Sequence, residues 1–117
     1  ERLGKCRNEL LARIILYEGI SFDLCYCVFN EPDAYLEDAI RKSIRRAVLL
    51  TGDLNESILG YLLLWKMNKI DALDEIVKIK NRITSPAKKQ ILDGVILKMN
   101  QKQRIVWGDI ENLQYAD

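Results

Sequence analysis

Between Ile58 and Trp65 the chain reads Ile-Leu-Gly-Tyr-Leu-Leu-Leu-Trp, and the first charged side chain after it is Lys66. A helix of this composition has no face to turn toward water, so other elements have to surround it. The run is far shorter than the roughly 20 residues that span a bilayer, which makes those surroundings protein. The sequence therefore predicts a central buried helix, opened by the capping-box spacing of Asp53 and Glu56, with Gly60 allowing another backbone to approach closely.

The flanking segments supply the packing partners. Leu3, Cys6, Leu10, Ile14 and Tyr17 recur at helical spacing up to Gly19, and residues 21–29 read as a short second helix. Pro32 suits a first helical turn, after which Leu36, Ile40, Ile44, Ala47 and Val48 keep one apolar face until Gly52. An amphipathic helix with Ile70, Leu73, Ile76, Val77 and Ile83 is expected after an Asn68-Lys69 turn. Ser85-Pro86 opens the last helix, with Ile91, Leu92, Val95, Ile96 and Met99 on its core side. After Gly108 only a short tail is expected. With 117 residues and 49% apolar content, the whole chain, 1–117, reads as one all-α domain, a compact bundle of about five to six helices. Gly19, Gly52 and Ser85 recur at intervals of 33 residues, close to the tetratricopeptide period.

Several chemistries are excluded or disfavoured. The chain contains no histidine, which removes the commonest general base and the commonest metal ligand. Cys25-x-Cys27 with a distant Cys6 is one ligand short of a four-cysteine zinc or iron–sulfur site, so the cysteines read as buried packing residues and no metal site or iron–sulfur cluster is expected. Neither GxGxxG nor GxxxxGK[ST] occurs. No catalytic residue and no cofactor of its own is expected on this chain. Three cysteines, two of them a single residue apart, are also too few for the disulfide framework of a small secreted domain. With no cleavable signal pattern opening the sequence, a cytoplasmic location without membrane contact is expected.

Eighteen basic residues face 17 acidic ones, so net charge names no partner, but the distribution is uneven. Lys78, Lys80, Arg82, Lys88, Lys89, Lys98, Lys102 and Arg104 are met by Asp93 alone between residues 78 and 104. Arg41, Lys42, Arg45 and Arg46 form two i,i+4 pairs on the helix face opposite Ile40 and Ile44, and like charges at that spacing repel. One reading is a site for phosphate oxygens, which suit the planar guanidinium fork. The other is a solvated face neutralised by Glu37, Asp38 or another helix. Trp65 reads either as core packing or as a ring beside the basic face, open to a base or sugar.

From Pro32 to Trp65 the chain reads PDAYLEDAIRKSIRRAVLLTGDLNESILGYLLLW, and this stretch resembles the central part of the C-terminal domain of the archaeal and eukaryotic primase large subunit. In that family a proline-flanked cysteine opens a helix, an arginine-bearing stretch follows, a leucine-rich segment closes on glycine, and the next helix carries an aromatic residue. Pro32, the Arg41 to Arg46 cluster, Leu49-Leu50-Thr51-Gly52 and Trp65 stand in those roles. Asp33 stands where the family has its iron–sulfur cysteine, and the family's histidines are missing. The resemblance is thus to a cluster-free form, like the accessory primase subunit of some hyperthermophilic archaea.

The resemblance implies a noncatalytic subunit of a DNA primase, a nucleotidyltransferase complex. Such a subunit binds the initiating nucleoside triphosphate, the future 5′ end of the primer, through Arg41, Lys42, Arg45, Arg46 and Trp65. Its implied partners are the primase catalytic and large subunits, with template or primer nucleic acid as a further one. Two alternatives come from the residues themselves. One is a tetratricopeptide-like helical adaptor for a protein partner. The other is a general nucleic-acid binder using the basic 78–104 region.

Overall fold

The computed structural model describes residues 2–52 and 54–116, with the side chains of residues 7–50, 52 and 54–116. Among them are six α-helices: α1 (Arg2–Glu18), α2 (Phe22–Val28), α3 (Glu37–Arg46), α4 (Leu54–Lys66), α5 (Asp71–Arg82) and α6 (Pro86–Asn100). No strand occurs among the described residues. The helices pack largely in chain order, with α3 between α1 and α4, α5 against α4, and α6 against α5.

As its sequence requires, α4 is the centre. Ile58, Leu59, Leu62, Leu63 and Leu64 are fully enclosed. Gly60 permits the closest approach: a Cβ there would lie 2.6 Å from Ile44 Cγ1 on α3. A second tie is polar. Glu56 Oε1 accepts hydrogen bonds from the Ile20 backbone N–H at 3.0 Å and from the buried Ser43 hydroxyl at 2.7 Å, joining the α1–α2 link, α3 and α4. The Asp53 half of the expected capping box lies outside the described residues.

Local signals set the helix ends. Gly19 and Gly52 close their helices with φ of 86° and 64°, the left-handed geometry glycine adopts without cost. Ser85 caps α6 by accepting from the Lys88 N–H, with Pro86 in the first turn. Because Ser85 opens a helix whereas the two glycines end theirs, the 33-residue interval does not mark a repeated structural unit.

Four expectations need correction. In α1 the side chains turned inward are Ile15 and, in part, Leu11 and Ala12. Leu10 and Tyr17 are 59% and 83% exposed, while the side chains of Leu3 and Cys6 lie outside the described residues. Pro32 does not enter a helix. Asp33 behind it caps a 3₁₀ turn, Ala34–Leu36, by accepting from the Tyr35 N–H at 2.8 Å. Val48 leaves the α3 stripe because residues Ala47–Thr51 form a π-turn, whose extra residue per turn breaks the i,i+4 register. Val48, Leu49 and Leu50 are consequently 51%, 80% and 77% exposed. Finally, the tail folds into two 3₁₀ turns, Trp107–Asp109 and Glu111–Gln114, which bury Ile110 and Leu113 completely.

Candidate functional site

The four cations of α3 do not converge. Arg41 Nε lies 3.0 Å from Glu37 Oε2 and its Nη1 3.3 Å from Asp71 Oδ2 at the start of α5. Hydrogen bonds to Glu37 and then Asp71 raise the Arg41 pKa, and those from Arg41 and Lys69 hold the Glu37 carboxyl below its ordinary range. Lys42 pairs with Asp38 at 3.1 Å. Arg46 donates to the Leu16 carbonyl and stands 3.9 Å from Glu56. These three cations are paired or hydrogen-bonded within the fold. Arg45 is exposed and, among the described residues, carries no ion pair.

Arg45 instead borders a groove of about 520 Å³ between α3, α4 and α5. Its apolar wall comes from Ile44, Val48, Leu49, Leu54 and Ile79, and its polar rim from Arg45, Lys78, Arg82 and Glu75. The π-turn matters here, since it swings Val48 and Leu49 outward to form one wall. Lys78 lies 3.3 Å from Glu75, whereas Arg82, like Arg45, has no ion pair among the described residues. Tyr61 closes the groove and also lines a smaller pocket with Arg41, Ile44 and Arg45. Partial burial, then the carboxylates of Glu75 and Asp71, raise the Tyr61 pKa above its ordinary value, so the phenol stays protonated and able to donate. A volume of this size with an apolar wall and a few convergent polar groups is what small-molecule sites share.

Trp65 is elsewhere. It lies at the far end of α4, beside Asn68, Ile70, Lys102, Gln103 and Arg104. The reason is register: Glu56 ties the start of α4 to Ser43 and Arg46 near the end of α3, so the residue opposite Arg41 and Arg45 is Tyr61, one turn before Trp65. That aromatic was available from the sequence, since 61 and 65 share a helix face. The basic 78–104 stretch is likewise divided. Lys78 and Arg82 face the groove, Lys80 pairs with Asp93, Lys98 pairs with Asp109, and Lys102 and Arg104 line the Trp65 cleft.

The cysteines differ from each other. Cys25 is enclosed, and burial pushes its thiol up to about 12 against the opposing charge of Lys66. Cys27 is exposed, which corrects its reading as a packing residue, and the Cys6 side chain lies outside the described residues. Among the described residues no group of three potential ligands is placed to hold a metal ion, and no helix is long and apolar enough to cross a membrane.

No family model, curated protein or solved structure matches this chain.

Proposed function

We propose that this domain is a noncatalytic subunit that holds a nucleoside triphosphate in the α3–α4–α5 groove and serves primer initiation in a primase complex. The observation that carries the binding half is the convergence of Arg45, Lys78 and Arg82 on one apolar-walled groove, with both guanidiniums free of ion pairs among the described residues. A triphosphate supplies the anionic oxygens that such forks bind through charge-assisted hydrogen bonds. Val48, Leu49 and Leu54 offer an apolar wall to the base, and the Tyr61 hydroxyl can donate to a sugar or phosphate oxygen. The primase half rests on the Pro32 to Trp65 resemblance, with Trp65 now outside the triphosphate site.

In this reading the domain contributes position. Priming joins two nucleotides without an existing strand, and holding one of them turns a rare encounter into an oriented one. Among the described residues Glu75 is the only carboxylate lining the groove, and it already faces Lys78; in this reading the metal-bound chemistry of phosphoryl transfer is supplied by another subunit. The catalytic and large primase subunits are the partners this implies. The exposed Val48–Leu50 turn supports the alternative of a protein-binding adaptor. The two separate in a reconstituted primase containing this chain. An Arg45→Ala/Arg82→Ala variant is expected to lose formation of the first dinucleotide while extending a preformed primer normally. Normal initiation by that variant, folded by circular dichroism, would favour the adaptor.

A further inference from the structure

We infer that the cleft lined by Trp65, Asn68, Ile70, Lys102, Gln103 and Arg104 binds one nucleotide unit of a single-stranded nucleic acid, a site separate from the triphosphate groove and independent of it. The cleft holds about 450 Å³. It forms where the end of α4, the turn into α5 and the segment after α6 meet.

The two lips share a construction. The Lys69 N–H bonds the Leu64 carbonyl at 3.0 Å and the Gln103 N–H bonds the Lys98 carbonyl at 2.9 Å, so α4 and α6 both end in the Schellman manner. The left-handed residues are Asn68, with φ of 67°, and Lys102, with φ of 56°, the two non-glycine residues of positive φ among those described. Asparagine tolerates this geometry. Lysine does so poorly, and where glycine would be the ordinary choice Lys102 places an ammonium at the mouth of the cleft.

The chemistry lining the cleft is that of strand binding. Trp65 is partly buried against the core, which fixes the indole on one side. It has no ring partner among the described residues, whereas Trp107 makes edge contacts to Phe22, Tyr26 and Phe29 at 5.4–6.4 Å. An indole held this way offers a stacking surface to any base. Asn68 and Gln103 can meet base edges, and Lys102 and Arg104 can meet phosphates. Among the described residues no carboxylate lines the cleft, and neither Lys102 nor Arg104 has an ion pair. The nearby Lys66 is already committed, donating to the Ile105 carbonyl at 2.6 Å and lying 4.5 Å from the centre of the Phe29 ring. Burial first, and then the charge of Arg104, lower its pKa, with Asp109 acting in the opposite sense. An acidic peptide would satisfy the cations and leave the indole without a planar partner. A base with its phosphate satisfies both.

The test is fluorescence anisotropy of a fluorescein-labelled 15-mer of deoxythymidine with the full chain at several salt concentrations. Trp65→Leu keeps apolar volume and removes stacking, and it should weaken binding about tenfold. Lys102→Ala/Arg104→Ala, on exposed positions, should weaken binding and lower the slope of log affinity against log salt by about 1.4, the release expected for two phosphate contacts. Arg45→Ala/Arg82→Ala should leave strand binding unchanged, which separates this cleft from the groove. A duplex of matching length should compete poorly, because its bases are stacked away. Unchanged binding by the Lys102/Arg104 variant would overturn the inference, as would equal competition by duplex, no binding at low salt, or loss of strand binding in the Arg45/Arg82 variant.

Discussion

The α1–α3–α4 seam and the α3–α4–α5 groove draw cations from the same helix, and they differ in what faces those cations. On the seam side, Arg46 meets the Leu16 carbonyl and Glu56. On the groove side, Arg45 meets apolar side chains and two more cations, Lys78 and Arg82, with Glu75 committed to Lys78. Adjacent arginines therefore do opposite work, one closing a packed junction and the other edging a cavity. A run of positive charge in a sequence marks supply; the facing elements decide which charges a ligand can use.

That contrast can be broken from the seam side first. Glu56→Ala removes the acceptor for the Ile20 N–H and the buried Ser43 hydroxyl, and each donor left unpaired costs about 1–3 kcal/mol. Urea unfolding should show the largest loss here of the substitutions considered, while ATP affinity in the groove stays unchanged. Gly60→Ala should cost about 1–3 kcal/mol by forcing α3 and α4 apart at Ile44. Ile44→Ala removes the clashing atoms, so in the Gly60→Ala background it should destabilise less than it does alone. Additive losses in that double-mutant cycle would mean that the two helices do not meet there.

The smallest effect is one of pH. Asp109 accepts from Lys98 Nζ at 2.7 Å and from the Val106 N–H at 2.9 Å. Burial alone would raise its carboxyl, but these bonds and the lysine charges outweigh it and hold the pKa below the ordinary 3.8. A depressed carboxyl stabilises the fold above its unfolded pKa and loses that contribution as pH falls through the folded value. Asp109→Asn should therefore narrow the difference between urea midpoints measured at pH 7 and near pH 3. An unchanged difference would remove Asp109 from the acid response of the C-terminal turns.

The parts of the fold legible beforehand were those whose local signals had one solution. The apolar run of α4 could only be central, Gly52 could end α3 and its π-turn in left-handed geometry, and Ser85-Pro86 could start a helix. Where two solutions existed, tertiary contact chose. α1 carries apolar residues on two lines, and packing against α3 selects the one through Ile15 over that through Leu10 and Tyr17. The C-terminal turns are too short to show a period, so the burial of Ile110 and Leu113 left no pattern to read. For the site, the arginine cluster was visible but its division was not, because Glu37, Asp38, Glu56 and Asp71 approach from three different helices. The sequence alone does not favour Tyr61 over Trp65, because the alignment of α3 with α4 is a tertiary property.

The division of the α3 cations is tested most directly by calorimetric titration of ATP into two double variants. Each hydrogen bond to a charged group is worth about 1.5–3 kcal/mol. Arg45→Ala/Arg82→Ala should therefore weaken ATP binding by at least roughly tenfold while preserving the fold. Lys42→Ala/Arg46→Ala removes as many positive charges from the same face of the sequence, and it should leave affinity within about threefold even where it costs stability. Equal losses in the two variants would mean that general positive charge, and not the groove, binds the nucleotide. No loss in either would contradict the triphosphate site altogether.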